Sequence, residues 1–105
     1  MWQQVVLAQV ALRRSNERSA EGSLPSGTVR VRCECGRDSC VEAFEMPTAA
    51  YDDVRSNPAR FLVAHDHGVE GVDRLVERRG RLDVVEAVGD AVELARELDP
   101  RALAS

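Results

Sequence analysis

Three cysteines within eight residues constrain the fold of this 105-residue chain more than any other feature. They are Cys33, Cys35 and Cys40, in the run Cys-Glu-Cys-Gly-Arg-Asp-Ser-Cys. Their odd number excludes a framework in which every cysteine is paired in an intramolecular disulfide. Gly36 allows the chain to turn back, so that the first two sulfurs can face one point to which Cys40 returns. The sequence therefore predicts a thiol site at a turn.

Two histidines, His65 and His67, follow about 25 residues after the last cysteine. Three thiolates and one imidazole make a closed tetrahedral zinc site of the structural type. Sulfur ligands favour Zn²⁺ over hard cations. We therefore predict a zinc site formed by the three cysteines and one of these two histidines, since either ring is close enough in sequence to reach it.

Two other interpretations of the cysteines remain open. Free cysteines are often buried as small apolar side chains, although clustering on a turn is not typical of that use. Three thiols also allow one disulfide and one free thiol, which is the composition of an oxidation sensor. An iron–sulfur cluster is disfavoured because it usually takes four cysteines.

A β-hairpin is the simplest structure that carries the cysteines. Residues 28–33 alternate strictly, with Val29, Val31 and Cys33 on one face and arginines on the other. A polar turn follows, and residues 41–46 have the composition of a second strand. The cysteines would then lie at the tip of the hairpin.

The remaining pattern predicts an α+β protein with a small, mostly antiparallel sheet and helices at both ends. The predicted order is α-β-β-α-β-β-β-α, organised around the zinc site. Its other elements are a helix over 2–18, a helix capped by Thr48 and ended at Asn57-Pro58, strands at 61–64 and 82–88, an ambiguous segment at 72–77, and a last helix capped by Asp90 and stopped at Asp99-Pro100.

Two parts of the chain are predicted to be distinct. Residues 1–20 form an N-terminal amphipathic helix, and residues 28–105 form the zinc-stapled α+β domain, with a loop rich in helix breakers between them. The helix is apolar around most of its surface. It either packs on the sheet or docks in a protein partner or a second copy of the chain.

Composition limits the compartment and the partners. No run approaches the ~18–20 apolar residues of a membrane helix, and no basic residues precede the apolar start as in a secretion signal. With an odd cysteine count, this predicts a cytoplasmic protein that does not bind membranes. The net charge of −4 disfavours broad affinity for nucleic acids.

The hairpin nevertheless carries a group of arginines. Arg30, Arg32 and Arg37 could contact phosphates, which is the basis of an alternative function. The competing interpretation is a solvated strand face on which these arginines pair with acidic residues of the hairpin, which are Glu34, Glu42 and Glu45. No stacking aromatic lies nearby, so the solvated face is favoured.

The cysteine run also belongs to a wider pattern. Together with Tyr51, Arg55, Asn57-Pro58 and the histidine loop, it resembles an uncharacterised group of short bacterial proteins of the actinobacterial type. Asn16-Glu17 and Asp99-Pro100-Arg101 match the two ends of that pattern, so the resemblance covers nearly the whole chain. It implies no activity.

The resemblance bears on the fourth zinc ligand. The histidine of the pattern follows a glycine and precedes an acidic residue, whereas here His67 lies between Asp66 and Gly68. His67 aligns best with it, which implies a ligand set of Cys33, Cys35, Cys40 and His67. The changed neighbours leave His65 as an alternative.

These features predict a small zinc-binding regulatory or protein-interaction module without catalysis. One alternative is a transcription-related protein that binds nucleic acid through the arginine-bearing hairpin. Another is a redox switch in which thiol oxidation releases zinc. The sequence contains no glycine-rich phosphate loop and no deaminase-type zinc motif.

Overall fold

The computed structural model describes residues 2–24, 26–37 and 39–103. Met1 and Ala104–Ser105, at the ends of the two predicted parts, and Asp38 of the cysteine run lie outside the described residues. The elements are α1 (Trp2–Ala20), β1 (Thr28–Arg32), β2 (Ala43–Pro47), α2 (Thr48–Arg55), β3 (Arg60–Ala64), β4 (Asp73–Arg79), β5 (Leu82–Ala87), α3 (Asp90–Glu97) and α4 (Pro100–Leu103).

The predicted hairpin is confirmed. Strands β1 and β2 pair antiparallel, with Val31 opposite Phe44 and Arg30 opposite Glu45. Val29 and Val31 are buried, whereas the alternate positions of β1 are exposed, as the pleat of a half-buried strand requires. The cysteines follow β1 and precede β2, at the open end of this pair.

The other three strands form a second antiparallel sheet in the order β3-β5-β4. Strand β5 is central and β3 lies at one edge, and both are buried along nearly their whole length. Residues 73–77 of the ambiguous segment belong to β4, and Gly80, with φ of +55°, makes the tight turn into β5. The fold class is therefore confirmed, with the antiparallel strands divided between two small sheets.

The helices cover these sheets. Helix α1 packs on β1 and α3, and its buried face consists of Val6, Gln9, Val10, Arg13 and Asn16. The predicted caps are wrong: Pro47 and Gly89 occupy the N-cap positions before Thr48 and Asp90, without a side-chain cap bond. The chain also continues past Asp99 into the short helix α4. None of the described helices is long and apolar enough to cross a membrane.

A buried carboxylate joins the two sheets. The Glu34 side chain is fully buried, and its Oε1 accepts the Leu62 N–H of β3 at 2.9 Å. Its Oε2 accepts hydrogen bonds from Asn16 of α1, at 2.6 Å, and from the Arg55 guanidinium of α2. The Glu34 N–H donates in turn to the Leu62 carbonyl at 2.8 Å. One residue thus links the hairpin, the second sheet and two helices.

Two buried arginines complete this polar core. Arg55 lies over the Tyr51 ring, and Arg13 lies over the Phe61 ring at 4.8 Å from its centroid. Arg13 also donates to the carbonyls of Pro58 and Ala95, at 2.6 and 2.8 Å. Burial is the largest single influence on the Arg55 guanidinium and opposes its charge, but the Glu34 carboxylate and the Tyr51 side chain together outweigh it and raise the Arg55 pKa. The Arg55 guanidinium therefore keeps its charge inside the fold.

The expectation that Glu34 lies on a solvated hairpin face is wrong. Its carboxylate points between the sheets, because the chain leaves the β1 ladder at Cys33 and crosses toward β3. Glu42 and Glu45, the other two acidic residues named for that face, are exposed.

Replacing Glu34 by Ala leaves the Arg55 guanidinium buried without its carboxylate. We expect the free energy of unfolding to fall by about 3–5 kcal/mol, the usual cost of removing one partner of a buried ion pair. Chemical denaturation of purified protein measures this. Glu42→Ala is the matched control on the same hairpin, and it is expected to change stability by less than about 0.5 kcal/mol. Equal effects of the two substitutions would contradict the buried role of Glu34.

Candidate metal centre

The structure brings together the four side chains predicted to bind metal. Ligand atoms of the cluster all lie within 4.8 Å of one another, and its members are Cys33, Cys35, Cys40 and His67. Cys33 and Cys35 are buried, whereas Cys40 and His67 are half-buried. These four residues could hold a metal ion.

Two of the separations between ligand atoms match tetrahedral coordination. The Nδ1 atom of His67 lies 3.5 Å from the Cys33 sulfur and 3.6 Å from the Cys40 sulfur. Metal–sulfur bonds of ~2.3 Å and metal–nitrogen bonds of ~2.0–2.1 Å at a tetrahedral angle require about 3.5–3.6 Å between nitrogen and sulfur. The other separations are at most 4.8 Å, whereas two sulfurs on a tetrahedral ion lie about 3.8 Å apart, so one ion could bind all four atoms if they move closer by about 1 Å or less.

Cys33 is fixed by the ends of two strands. Its N–H donates to the Glu42 carbonyl at 2.9 Å, which continues the hairpin ladder by one pair. Its sulfur accepts the Ala64 N–H of β3 at 3.2 Å. That N–H donates toward a sulfur that would carry negative charge as a metal ligand, so β3 both positions and stabilises the thiolate.

Helix α1 supports the turn between Cys35 and Cys40. Gly36 has a φ of +80°, in the left-handed region that favours glycine. A Cβ atom at this position would lie 3.2 Å from the Val5 carbonyl oxygen and 3.3 Å from the Ala8 Cβ. Glycine therefore suits this position for two reasons: a side chain would be strained at this φ, and its Cβ would force the Val5 carbonyl and the Ala8 side chain to move by a few tenths of an ångström.

The structure distinguishes the two histidines. His67 lies in a turn after β3, with its N–H donating to the Ala64 carbonyl at 3.0 Å, and its ring faces the sulfurs. His65 is exposed, and its Nε2 lies 2.7 Å from the Gly80 carbonyl oxygen in the β4–β5 turn. His65 is therefore not part of the cluster.

A second chain of hydrogen bonds holds the histidine loop. Gln9 of α1 donates through Nε2 to Oδ2 of Asp73 at 3.0 Å, and Oδ1 of Asp73 accepts the Val69 N–H at 2.9 Å. Gln9 and Asp73 are both buried, and burial raises the pKa of Asp73. Helix α1 thus contacts the cysteine turn directly and supports the histidine loop through one carboxylate.

Burial also determines what Cys33 can do. Desolvation raises the pKa of its thiol to about 12, although the Ala64 N–H acts in the opposite direction. A thiol with so high a pKa is a poor nucleophile at neutral pH. A cation at the cluster is what would make the Cys33 thiolate favourable, so this environment suits a metal ligand better than a catalytic cysteine.

Cys40 is the cysteine that solvent can reach. It lines a shallow cavity of about 270 Å³ together with Arg32 and Arg37. The other two cysteines lie behind it, at 4% and 1% exposure. A reagent from solution would therefore meet Cys40 first.

Searches against protein families, curated proteins and solved structures gave no match to this chain.

The four residues of the cluster could be predicted from the sequence, but the residues that hold them in place were missed. Gln9, Arg13 and Asn16 are spaced by four and three, which places them on the same face of α1 as Val6 and Val10. Polar residues on an otherwise apolar helical face are the signal that could have indicated buried partners. Glu34, an acidic residue placed between two cysteines, was a second signal of a buried polar side chain.

Replacing Gly36 by Ala tests the close approach of the cysteine turn to α1. Gly71→Ala is the matched control, because Gly71 has nearly the same φ, +83°, but no atom lies within 4 Å of the place that its new methyl group would occupy. We expect both to cost about 1–2 kcal/mol from left-handed strain. Gly36→Ala should cost at least ~1 kcal/mol more from overpacking and should weaken metal binding.

Thermal and chemical unfolding, together with a competition assay for bound metal, measure both effects. Equal stability losses, with metal affinity unchanged in Gly36→Ala, would contradict the contact between the turn and α1.

Proposed function

We propose that this chain is a small zinc protein in which Cys33, Cys35, Cys40 and His67 hold one structural Zn²⁺. The observation that carries the proposal is the spacing of His67 Nδ1 from two sulfurs, 3.5 and 3.6 Å, at the distance that tetrahedral zinc requires. Soft thiolate ligands with one imidazole suit zinc better than magnesium, calcium or manganese.

A structural role follows from the closed ligand set. Four protein ligands fill a tetrahedral ion, whereas a catalytic zinc keeps one position for water or substrate. Three carboxylates lie near His67 in sequence. Asp66 accepts from Arg78 at 2.7 Å and Asp73 accepts from Gln9 and Val69, whereas Glu70 is exposed. This favours a module without catalysis over a zinc hydrolase.

The ion would link parts of the fold that are distant in sequence. The cysteines lie on the loop between β1 and β2, whereas His67 follows β3. Zinc would therefore fasten the hairpin to the second sheet, next to the Glu34 contacts that join the same elements. Structural zinc sites contribute on the order of 10 kcal/mol of apparent binding free energy, which is enough to determine whether a small domain folds.

We propose that the module works in the cytoplasm, in regulation or protein interaction. Its thiols suit a reducing compartment. The inner face of α1 is covered by the chain itself, and its exposed side, which includes Leu7 at 50% exposure, is the surface for a protein partner or a second copy. The role of this helix in docking stays a prediction.

The two histidines provide a matched pair of variants. We expect purified wild-type protein to contain one equivalent of zinc by elemental mass spectrometry. His65→Asn should retain that zinc, because His65 lies outside the cluster. His67→Asn should bind zinc at least about tenfold more weakly, since one of four ligands is lost, and Cys35→Ser should bind still more weakly.

Cobalt substitution keeps the test informative if a variant is unstable. Tetrahedral Co²⁺ with thiolate ligands has intense visible bands, and these should change in His67→Asn but not in His65→Asn. Wild-type protein with reduced thiols and no affinity for zinc would contradict the proposal, as would loss of metal in His65→Asn alone.

A redox switch is the second candidate, because Cys40 is the one cysteine of the cluster that is half-exposed. Hydrogen peroxide would oxidise two zinc-bound thiolates to a disulfide. The peroxide and two protons would form two molecules of water, and Zn²⁺ would be released.

The redox candidate predicts about one zinc released per peroxide consumed, measured with a chromogenic chelator, and rebinding after reduction. Cys40→Ser should slow this release at least about tenfold, because the two buried sulfurs are shielded. Zinc that stays bound until the protein unfolds would instead assign the centre a purely structural role.

Nucleic-acid binding is the less favoured alternative. Arg30, Arg32 and Arg37 are exposed on the hairpin and its loop, but the exposed Glu42 and Glu45 lie on the same hairpin and reduce its positive charge. The overall charge of −4 also disfavours binding to nucleic acid.

A further inference from the structure

A groove of about 520 Å³ lies away from the metal centre, between strand β2 and the β4–β5 turn. All five residues of β2 line one side of it, and residues 79–82 line the other. Its apolar floor includes the side chains of Phe44, Met46 and Leu82, each of which is at most 9% exposed. The groove therefore runs along strand β2 and has an apolar floor formed by well-packed side chains.

The edge of β2 that borders this groove has open backbone groups. The Cys33 N–H donates to the Glu42 carbonyl, which fixes the alternation of the ladder, so Phe44 and Met46 exchange hydrogen bonds with β1. Ala43 and Glu45 must then direct their N–H and C=O groups away from β1. Among the described residues, no backbone or side-chain partner meets these groups.

The charges at the groove favour an acidic ligand. Arg30 and Arg81 line it and are exposed, and neither forms an ion pair with any described residue. Arg79 is also present, but Glu77 and Asp53 already accept from it at 2.6 and 3.4 Å. Within the part of the chain that the structure describes, Glu45 is the only acidic residue that lines the groove, so two unpaired guanidinium groups face one carboxylate.

We propose that this groove binds an extended acidic peptide segment of a partner protein, which adds to β2 as a further strand. The peptide backbone would pair with Ala43 and Glu45, alternate apolar side chains would enter the groove, and acidic side chains would meet Arg30 and Arg81. Pro47 has no N–H, so it ends the ladder at one side. Such binding depends on the hairpin and not on the identity of the metal.

A second copy of the chain fits this edge less well. A symmetric antiparallel pairing of two β2 edges centred on Glu45 would place two carboxylates directly opposite each other. Like charges in that position destabilise a strand pair. A strand from another protein can place a neutral residue opposite Glu45 and acidic residues at the flanking positions, where they meet Arg30 and Arg81.

A synthetic peptide tests the proposal directly. The probe is fluorescein-labelled Val-Glu-Val-Thr-Val-Glu-Val, blocked at both ends, whose central threonine can pair opposite Glu45. Anisotropy measures its binding to zinc-loaded wild-type protein. We expect saturable binding that weakens as salt rises. Backbone amide shifts in NMR spectra should change at Ala43 and Glu45 and remain unchanged at His67.

Two comparisons isolate the two kinds of contact. Arg30→Ala/Arg81→Ala should weaken binding about fivefold or more, whereas Arg14→Ala/Arg96→Ala, two exposed arginines outside the groove, should leave it unchanged. A peptide N-methylated at alternate residues, which cannot pair with the edge, should bind at least about tenfold more weakly.

Several results would overturn the proposal. These are equal binding of a peptide with lysine in place of glutamate, no effect of the Arg30→Ala/Arg81→Ala change, or no binding at all. A concentration-dependent dimer in which the Ala43 and Glu45 amides become protected would assign the edge to a second copy. Zinc content, measured on the same samples, reports separately on the metal centre.

Discussion

The buried Glu34 carboxylate is the interaction on which the rest of this structure depends. An ionised carboxylate can remain in a protein interior only where cations and hydrogen-bond donors replace water. Here the replacements come from α1, α2 and β3, through Asn16, Arg55 and the Leu62 N–H. Because Glu34 lies between Cys33 and Cys35 in the sequence, satisfying its charge also fixes where two of the four candidate ligands lie. The polar core and the metal cluster are therefore one unit of structure.

Helix α1 holds that unit from the other side. Its inner face contacts the cysteine turn at Gly36 and reaches the histidine loop through Gln9 and Asp73. A helix that looks like a separate amphipathic segment in the sequence thus supports both halves of the ligand set. Such supporting hydrogen bonds orient metal ligands and tune their affinity.

The parts that could be predicted from the sequence are those governed by local patterns. Strict alternation at Thr28–Arg32 predicts a strand whatever lies around it, and three clustered thiols need one imidazole to complete a tetrahedral site. The partners of Glu34 and Gln9 could not be identified in this way, because polar side chains usually lie at the surface and their burial depends on partners far along the chain. The predicted helix caps were wrong for a related reason. Thr48 and Asp90 have the preferred chemistry for an N-cap, but the backbone before them places Pro47 and Gly89 in that position.

The central claim is that one zinc ion binds three sulfurs and one histidine nitrogen. X-ray absorption at the zinc edge of the purified, zinc-loaded protein tests it most directly, since bond lengths and ligand types are read from the ion itself. We predict three sulfur atoms at ~2.3 Å and one nitrogen at ~2.0–2.1 Å. An ion coordinated by oxygen and nitrogen alone, or by fewer than three sulfur atoms, would contradict this claim.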